Sequence, residues 1–130
     1  MKVPKPKKRK KDSLDSTMLA KWSELVKIKA DWKCEYCGTT KTLNSHHVFT
    51  KKNRATRWDV ENGICLCASH HTLGNFSAHG SPAFADWMKE YRGEEWYIAL
   101  RDKSNSIVKH SRKDKLAIME GLKAMIKELE

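Results

Sequence analysis

Apolar positions recur along this chain at two spacings, and the change between them divides it. From residue 13 to about Ala30, Leu14, Met18, Trp22, Leu25 and Val26 follow a helical repeat, with Lys29 at its polar end. This spacing predicts an amphipathic helix capped by Asp12 or Ser13. Trp32 to Gly38 reads as a tight knuckle, with Gly38 permitting the turn. Thr42 to Phe49 reads as a strand, Thr50 to Asp59 as a basic loop, and Val60 to Leu66 as a second strand turning near Asn62-Gly63. Cys67 to about Phe76 reads as a short helix. Beyond Gly80 the pattern is helical throughout. Ser81-Pro82 opens a helix over 82–92 that puts Phe84, Trp87, Met88 and Tyr91 on one face, and Gly93 ends it. A short helix follows through Trp96, Ile98 and Leu100. Ser111 caps a last helix with a stripe of Leu116, Met119, Leu122, Ile126 and Leu129.

These elements predict an α+β chain of 130 residues, one domain with an appendage. Its expected parts are an arm over 1–11, an N-terminal helix over 12–31, a compact core over 32–80 and a helical region over 81–130. Charge sharpens the first boundary. Residues 1–11 hold seven Lys or Arg and no acid, so they carry most of the net +10. Such a run is expected to be a solvated, disordered arm. Pro6-Lys7-Lys8-Arg9-Lys10 would pass as a nuclear localisation signal in a eukaryotic protein, but non-specific phosphate contact is the better reading. The basic balance points to a polyanionic partner, nucleic acid first. The chain shows no apolar run able to span a membrane and no signal-peptide segment, which predicts a cytoplasmic protein without a membrane partner. In a reducing compartment its four cysteines read better as metal ligands than as disulfides. The five tryptophans are expected in the core, with Trp58 as a packing anchor behind the basic loop.

Two matched hooks carry the metal reading. Cys34-x-x-Cys37 lets two thiolates reach one tetrahedral ion without strain, and Cys67-x-x-His70 repeats that spacing on the first turn of a helix. A structural Zn²⁺ on Cys34, Cys37, Cys67 and His70 is the expectation. Cys65 is the rival for the fourth place, with a tighter Cys65-x-Cys67 bite.

A second polar pattern lies between and beside the hooks. It consists of His46-His47, then Asn62 after fourteen residues, then His71 after eight more. Hydrolysis of a phosphodiester needs an activated water, charge relief on the phosphate and a stabilised leaving oxygen. An imidazole with a pKa near 6.5 is largely neutral at pH 7 and suits the first task, so His47 is a suitable general base. In a regular strand His46 would face the opposite side, unless a twist at the strand end turns both to one site. Lys51, Lys52, Arg54 and Arg57 lie in the loop between the strands and can grip phosphates. His110 has no motif around it and reads as a surface residue.

The stretches Ser45-His46-His47-Val48, Glu61-Asn62-Gly63-Ile64-Cys65-Leu66-Cys67 and His70-His71 together resemble the HNH nuclease family. The likeness covers roughly residues 32–80 and is greatest to compact, zinc-stapled phage and bacterial members. One departure is His70, where that branch usually has cysteine. The resemblance implies a small ββα-metal core packed with flanking N- and C-terminal helices. It implies a metal-dependent endonuclease that hydrolyses DNA, nicking as a monomer or cutting both strands as a homodimer. His47, Asn62 and His71 would be catalytic, with Asn62 holding the loop and orienting the base. His46 and His71 would hold a catalytic Mg²⁺, Mn²⁺, Ni²⁺ or similar ion. His79 stands where relatives often have a metal or phosphate contact; a plain surface histidine is the other reading, and Asn75 is a weaker candidate of the same kind. Phage or host DNA-processing proteins are further expected partners, in a bacterial or host cytosol. A zinc-stapled DNA-binding module without catalysis is the alternative. An RNA-acting toxin or nuclear regulator rests on charge alone.

Overall fold

The structure is a computed structural model that describes residues 3–5 and 13–130. The expected arm over 1–11 lies outside the described residues apart from 3–5, as do the localisation-like run over 6–10 and the Asp12 cap. Helix α1 (Ser13–Lys29) buries Met18, Trp22, Leu25 and Val26, the spaced apolar positions, and Ser13 is its first residue rather than its cap. Strands β1 (Leu43–His47) and β2 (Gly63–Cys67) pair antiparallel, from Leu43 opposite Cys67 to His47 opposite Gly63. Helices α2 (Ala83–Arg92), α3 (Glu94–Ser104) and α4 (Arg112–Leu129) follow. None of the described helices is long and apolar enough to cross a membrane.

All five residues of β2 are buried, which explains its unbroken apolar text. The strand separates two cores. Cys65 joins Met18, Trp22, Leu25 and Val26 of α1, Trp58, and Met119, Leu122 and Ile126 of α4. Ile64, Leu66 and Cys67 join Cys34, Phe84 and Met88 on the other side. Each such fully buried aliphatic or aromatic side chain contributes roughly 1.5–3 kcal/mol relative to exposure. Gly63 is the point of closest approach between α1 and β2. A β-carbon there would lie 2.9 Å from Trp22 and closer still to Val26, so only glycine fits.

Three expectations need correction. The second strand starts three residues late. Val60–Asn62 is a 3₁₀ turn, because the Asp59 carboxylate accepts from the Glu61 N–H at 3.0 Å and the Asp59 carbonyl from Asn62. The helix expected over 67–76 is a single π-helical turn, Ser69–Leu73, closed by Gly74 N–H on the Ser69 carbonyl at 2.7 Å. In the last helix, Leu116 and Leu129 are about half exposed, while Met119, Leu122 and Ile126 bury, because α1 covers only the middle of that face. Ser111 caps this helix in a reciprocal box with Asp114, and Trp58 is buried behind the basic loop.

Candidate active site and metal centre

The first cluster is built by a knuckle. Gly38 N–H donates to the Cys34 carbonyl and Cys34 N–H to the Thr39 carbonyl, each at 2.8 Å. Gly38 sits at φ +78°, a left-handed conformation that favours glycine. This turn sets Cys34 and Cys37 against Cys67, at the end of β2, and His70, in the π turn. The Cys37 and Cys67 sulfurs are 3.8 Å apart, and His70 Nδ1 lies 3.2 Å from Cys67 Sγ and 3.9 Å from Cys34 Sγ. All four ligand atoms lie within 4.8 Å of one another. A tetrahedral ion with metal–ligand bonds of about 2.1–2.3 Å needs edges of roughly 3.5–3.8 Å, so the group could hold one ion. Burial alone would push the Cys34 thiol up. The N–H groups of Cys37, Cys67 and Tyr36 outweigh it and hold the thiol below its usual range, favouring thiolate. Cys65 lies outside this cluster. Burial, reinforced by the Glu35 carboxylate, pushes its thiol up to about 11.

Glu35, inside the knuckle, locks it to the rest of the fold. Its carboxylate accepts from Cys65 N–H at 2.7 Å and from Tyr91 Oη at 3.1 Å, and it pairs with Arg92 at 3.0 Å. The pair is largely buried, so the two charges depend on each other. Nothing in the spacing of the hooks marked Glu35; only the fold brings α2 to it.

The π turn divides two consecutive imidazoles between two clusters. His70 faces the cysteines, and His71 meets His46 of β1 and His79. The ring centroids are 5.2 Å (His46–His71), 4.8 Å (His46–His79) and 4.7 Å (His71–His79) apart. The Nε2 atoms of His71 and His79 lie 3.1 Å apart. Two main-chain bonds return the chain to this point: Ala78 N–H on the His70 carbonyl at 2.8 Å and His79 N–H on the His71 carbonyl at 3.0 Å. Three ring nitrogens within 4.8 Å, with no carboxylate among them, form a neutral, borderline-soft donor set that could hold a divalent ion. Burial, with the neighbouring imidazoles His71, His79 and His47 adding to it, drives His46 down to about 3. Burial and then His79 lower His71. Both rings are therefore kept neutral, the form that ligates. Asn75 is exposed and joins neither cluster.

His47 opens onto the same cleft as His46, a space of about 420 Å³ that Trp22, Lys51, His71 and His79 also line. Its ring lies flat on Trp22, and its Nε2 lies 3.0 Å from the Arg57 carbonyl. A carbonyl only accepts, so Nε2 carries the proton and Nδ1 keeps the lone pair. Burial lowers the His47 pKa. The Arg57 carbonyl opposes that, and the Lys51 and Arg57 cations reinforce it. Asn62 is fully buried one layer behind. Its Oδ1 accepts from Phe49 N–H at 2.7 Å, and its Nδ2 donates to the carbonyls of Phe49 at 2.9 Å and Thr56 at 3.2 Å. One side chain thus ties both ends of the basic loop to the strand base, and that loop carries the carbonyl that orients His47.

The four loop cations do not all converge on the cleft. Lys51 lines the cleft. Arg57 donates through Nε to the Lys51 carbonyl at 2.6 Å, and with Arg54 it lines a separate recess beside His110. Lys52 lines a third depression, which Arg54 also reaches. His110 is half-buried, its Nε2 3.2 Å from the Arg54 carbonyl and its ring against Trp58. Sequence spacing also missed Trp22 as a site residue: it reads as one more apolar position of α1.

No curated protein and no solved structure matches the chain. Residues 20–74 match the family model described as HNH endonuclease. That segment holds Trp22, both hooks, His46, His47, Asn62 and His71, arranged as an α+β, ββα-metal fold. The match supports reading that segment as similar to the HNH endonuclease family.

Proposed function

We propose that this protein is a metal-dependent endonuclease that hydrolyses DNA phosphodiester bonds. The observation that carries the reading is the 3.0 Å contact between His47 Nε2 and the Arg57 carbonyl, which leaves a lone pair on Nδ1 in a cleft shared with three clustered imidazoles. In this reading Nδ1 takes a proton from a water as its oxygen attacks phosphorus. The bond from phosphorus to the 3′ oxygen breaks, and that oxygen leaves as an alkoxide that takes a proton from solvent water, giving a 3′-hydroxyl opposite a 5′-phosphate. His46, His71 and His79 would hold a divalent ion. Once bound, such an ion supplies Lewis-acid polarisation of the phosphate and charge relief at the leaving oxygen. An all-imidazole set favours Mn²⁺, Ni²⁺, Co²⁺ or Zn²⁺ over Mg²⁺. Asn62 fixes the loop that positions the base, and Lys51 adds a cation for the phosphate. Cys34, Cys37, Cys67 and His70 would hold a structural Zn²⁺. One such centre cuts one strand, so a monomer nicks and a homodimer cleaves both strands.

The test is plasmid cleavage by the protein and by His47→Ala, with the cleft ion removed by EDTA and Mg²⁺, Mn²⁺ or Ni²⁺ restored. Metal-dependent nicking lost in the variant is expected. DNA binding without cleavage under any metal would replace this reading with a zinc-stapled binding module.

A further inference from the structure

Two stretches of the chain carry cations without a single acid. Residues 36–58 hold five Lys or Arg, and residues 103–113 hold four, with no Asp or Glu in either. They are about fifty residues apart in sequence, yet the fold brings them together. Thr56 Oγ1 and Ser104 Oγ lie 2.9 Å apart in a buried hydrogen bond, and His110 Nε2–H donates to the Arg54 carbonyl at 3.2 Å. These two ties hold the α3–α4 connector, residues 105–111, along the outer edge of the basic loop. Between them runs an open groove of about 420 Å³, lined by Lys52, Arg54, Asn105, Ser106 and Lys109 among others. Among the described residues, no carboxylate lies within 4.0 Å of Lys52, Arg54 or Lys109. Three like charges gathered without a counter-ion repel one another, and a polyanion relieves that repulsion.

We infer that this groove is a second phosphate-binding strip, which carries the nucleic-acid backbone away from the cleft and is completed by Lys109 of the C-terminal region. It deepens the nuclease reading and rests on it for the identity of the polymer. Lys51 and Lys52 are the joint: consecutive residues, one lining the cleft and the other the groove. A backbone that enters at His47 meets Lys52, Arg54 and Lys109 next. Asn105 and Ser106 offer neutral donors to the same phosphates. Because contacts of this type read no base, the strip adds affinity and sets the length of duplex engaged, not sequence preference.

The experiment measures binding of a thirty-base-pair duplex to the zinc-loaded full chain against salt concentration. Cleavage is silenced by His47→Ala in every protein compared, and Lys109→Ala and Lys109→Glu are added to it. Each phosphate neutralised contributes about 0.9 to the slope of log K on log salt. Lys109→Ala is expected to lower that slope by about 1 and to weaken binding roughly three- to tenfold near 0.1 M salt, and Lys109→Glu by more. Lys123→Ala removes an equal charge from α4, where Lys123 pairs with Glu120, and is expected to change neither. An unchanged slope in both Lys109 variants overturns the strip, even if the protein with His47 intact cuts DNA. A lowered slope with no cleavage by that protein upholds the strip and overturns the nuclease reading instead.

Discussion

Trp22 of α1 lies flat against His47 of β1, with ring centroids 3.8 Å apart and planes 10° from parallel. The indole is itself pinned, its Nε1 donating to the Asp59 carbonyl at 2.8 Å. The imidazole is thus held between a fixed aromatic wall and the Arg57 carbonyl, which limits rotation of its ring. Such a stack is worth about 0.5–1.5 kcal/mol beyond area burial. Gly63 opposite His47 makes the approach possible, since any side chain there would strike α1.

Loosening that wall is expected to lower turnover before it unfolds the protein. Trp22→Phe keeps an aromatic face but loses the bond to Asp59. DNA cleavage kinetics should show a roughly tenfold to hundredfold fall in kcat with KM little changed. Trp22→Ala opens the core and should destabilise by about 3–5 kcal/mol in denaturant titration. A Trp22→Phe protein with unaltered kcat would remove Trp22 from the positioning of the base.

Asn62 predicts a different signature. Asn62→Ala strips three hydrogen bonds and leaves the Phe49 N–H and two carbonyls without their partner. A loss of about 1–3 kcal/mol of stability is expected, because buried unsatisfied groups carry their full desolvation penalty. Amide hydrogen exchange should localise the effect to residues 48–58. Uniform exchange across the chain would speak against Asn62 as the tie of that loop.

The pH dependence has a definite sign. The His47 pKa is lowered from 6.5, first by burial. His47 is therefore neutral at pH 7, and if it is the base of the proposed reaction, activity declines only as pH falls through a value below 6.5. Lys51→Ala removes a lowering influence and should move the acid limb of kcat/KM upward. Stability of metal-free protein follows the same logic. Folded His46 titrates at about 3 and the unfolded chain near 6.5, so between those values only the unfolded chain takes the proton. The stabilisation is complete above pH 6.5 and is lost as pH falls towards 3, at up to about 1.4 kcal/mol per unit. Replacing His46 by Asn should flatten the stability profile between pH 6.5 and 4. An unchanged slope would deny the burial effect.

Zinc content separates the two candidates for the fourth hook position. His70→Ala should lose stoichiometric zinc by elemental analysis and melt at a lower temperature, since a structural metal contributes folding energy directly. Cys65→Ala should keep its zinc and show only the cost of a small core cavity. Zinc lost from Cys65→Ala and kept in His70→Ala would reverse the assignment.

The sequence by itself determined the local parts. Periodic apolar residues specified α1, α2 and α4, because a helix needs only one covered face. The Cys34-x-x-Cys37 knuckle and its glycine are local too, since ligand spacing and a left-handed turn involve neighbours in the chain. The start of β2 was not legible, because the Asp59 side chain winds Val60–Asn62 into a turn that apolar patterning does not show. Hook spacing and the family resemblance had already assigned His70 and His71 to different clusters; the tertiary structure decided how the backbone brings each set together. His70 and His71 are adjacent in sequence, yet a π turn sends them to different partners. His79 joins His71 through main-chain bonds across the intervening turn. Trp22, Glu35 and Lys109 acquired their roles in the same way. Each meets its partner across twenty or more residues, and side-chain type and spacing carry no record of which surfaces pack together.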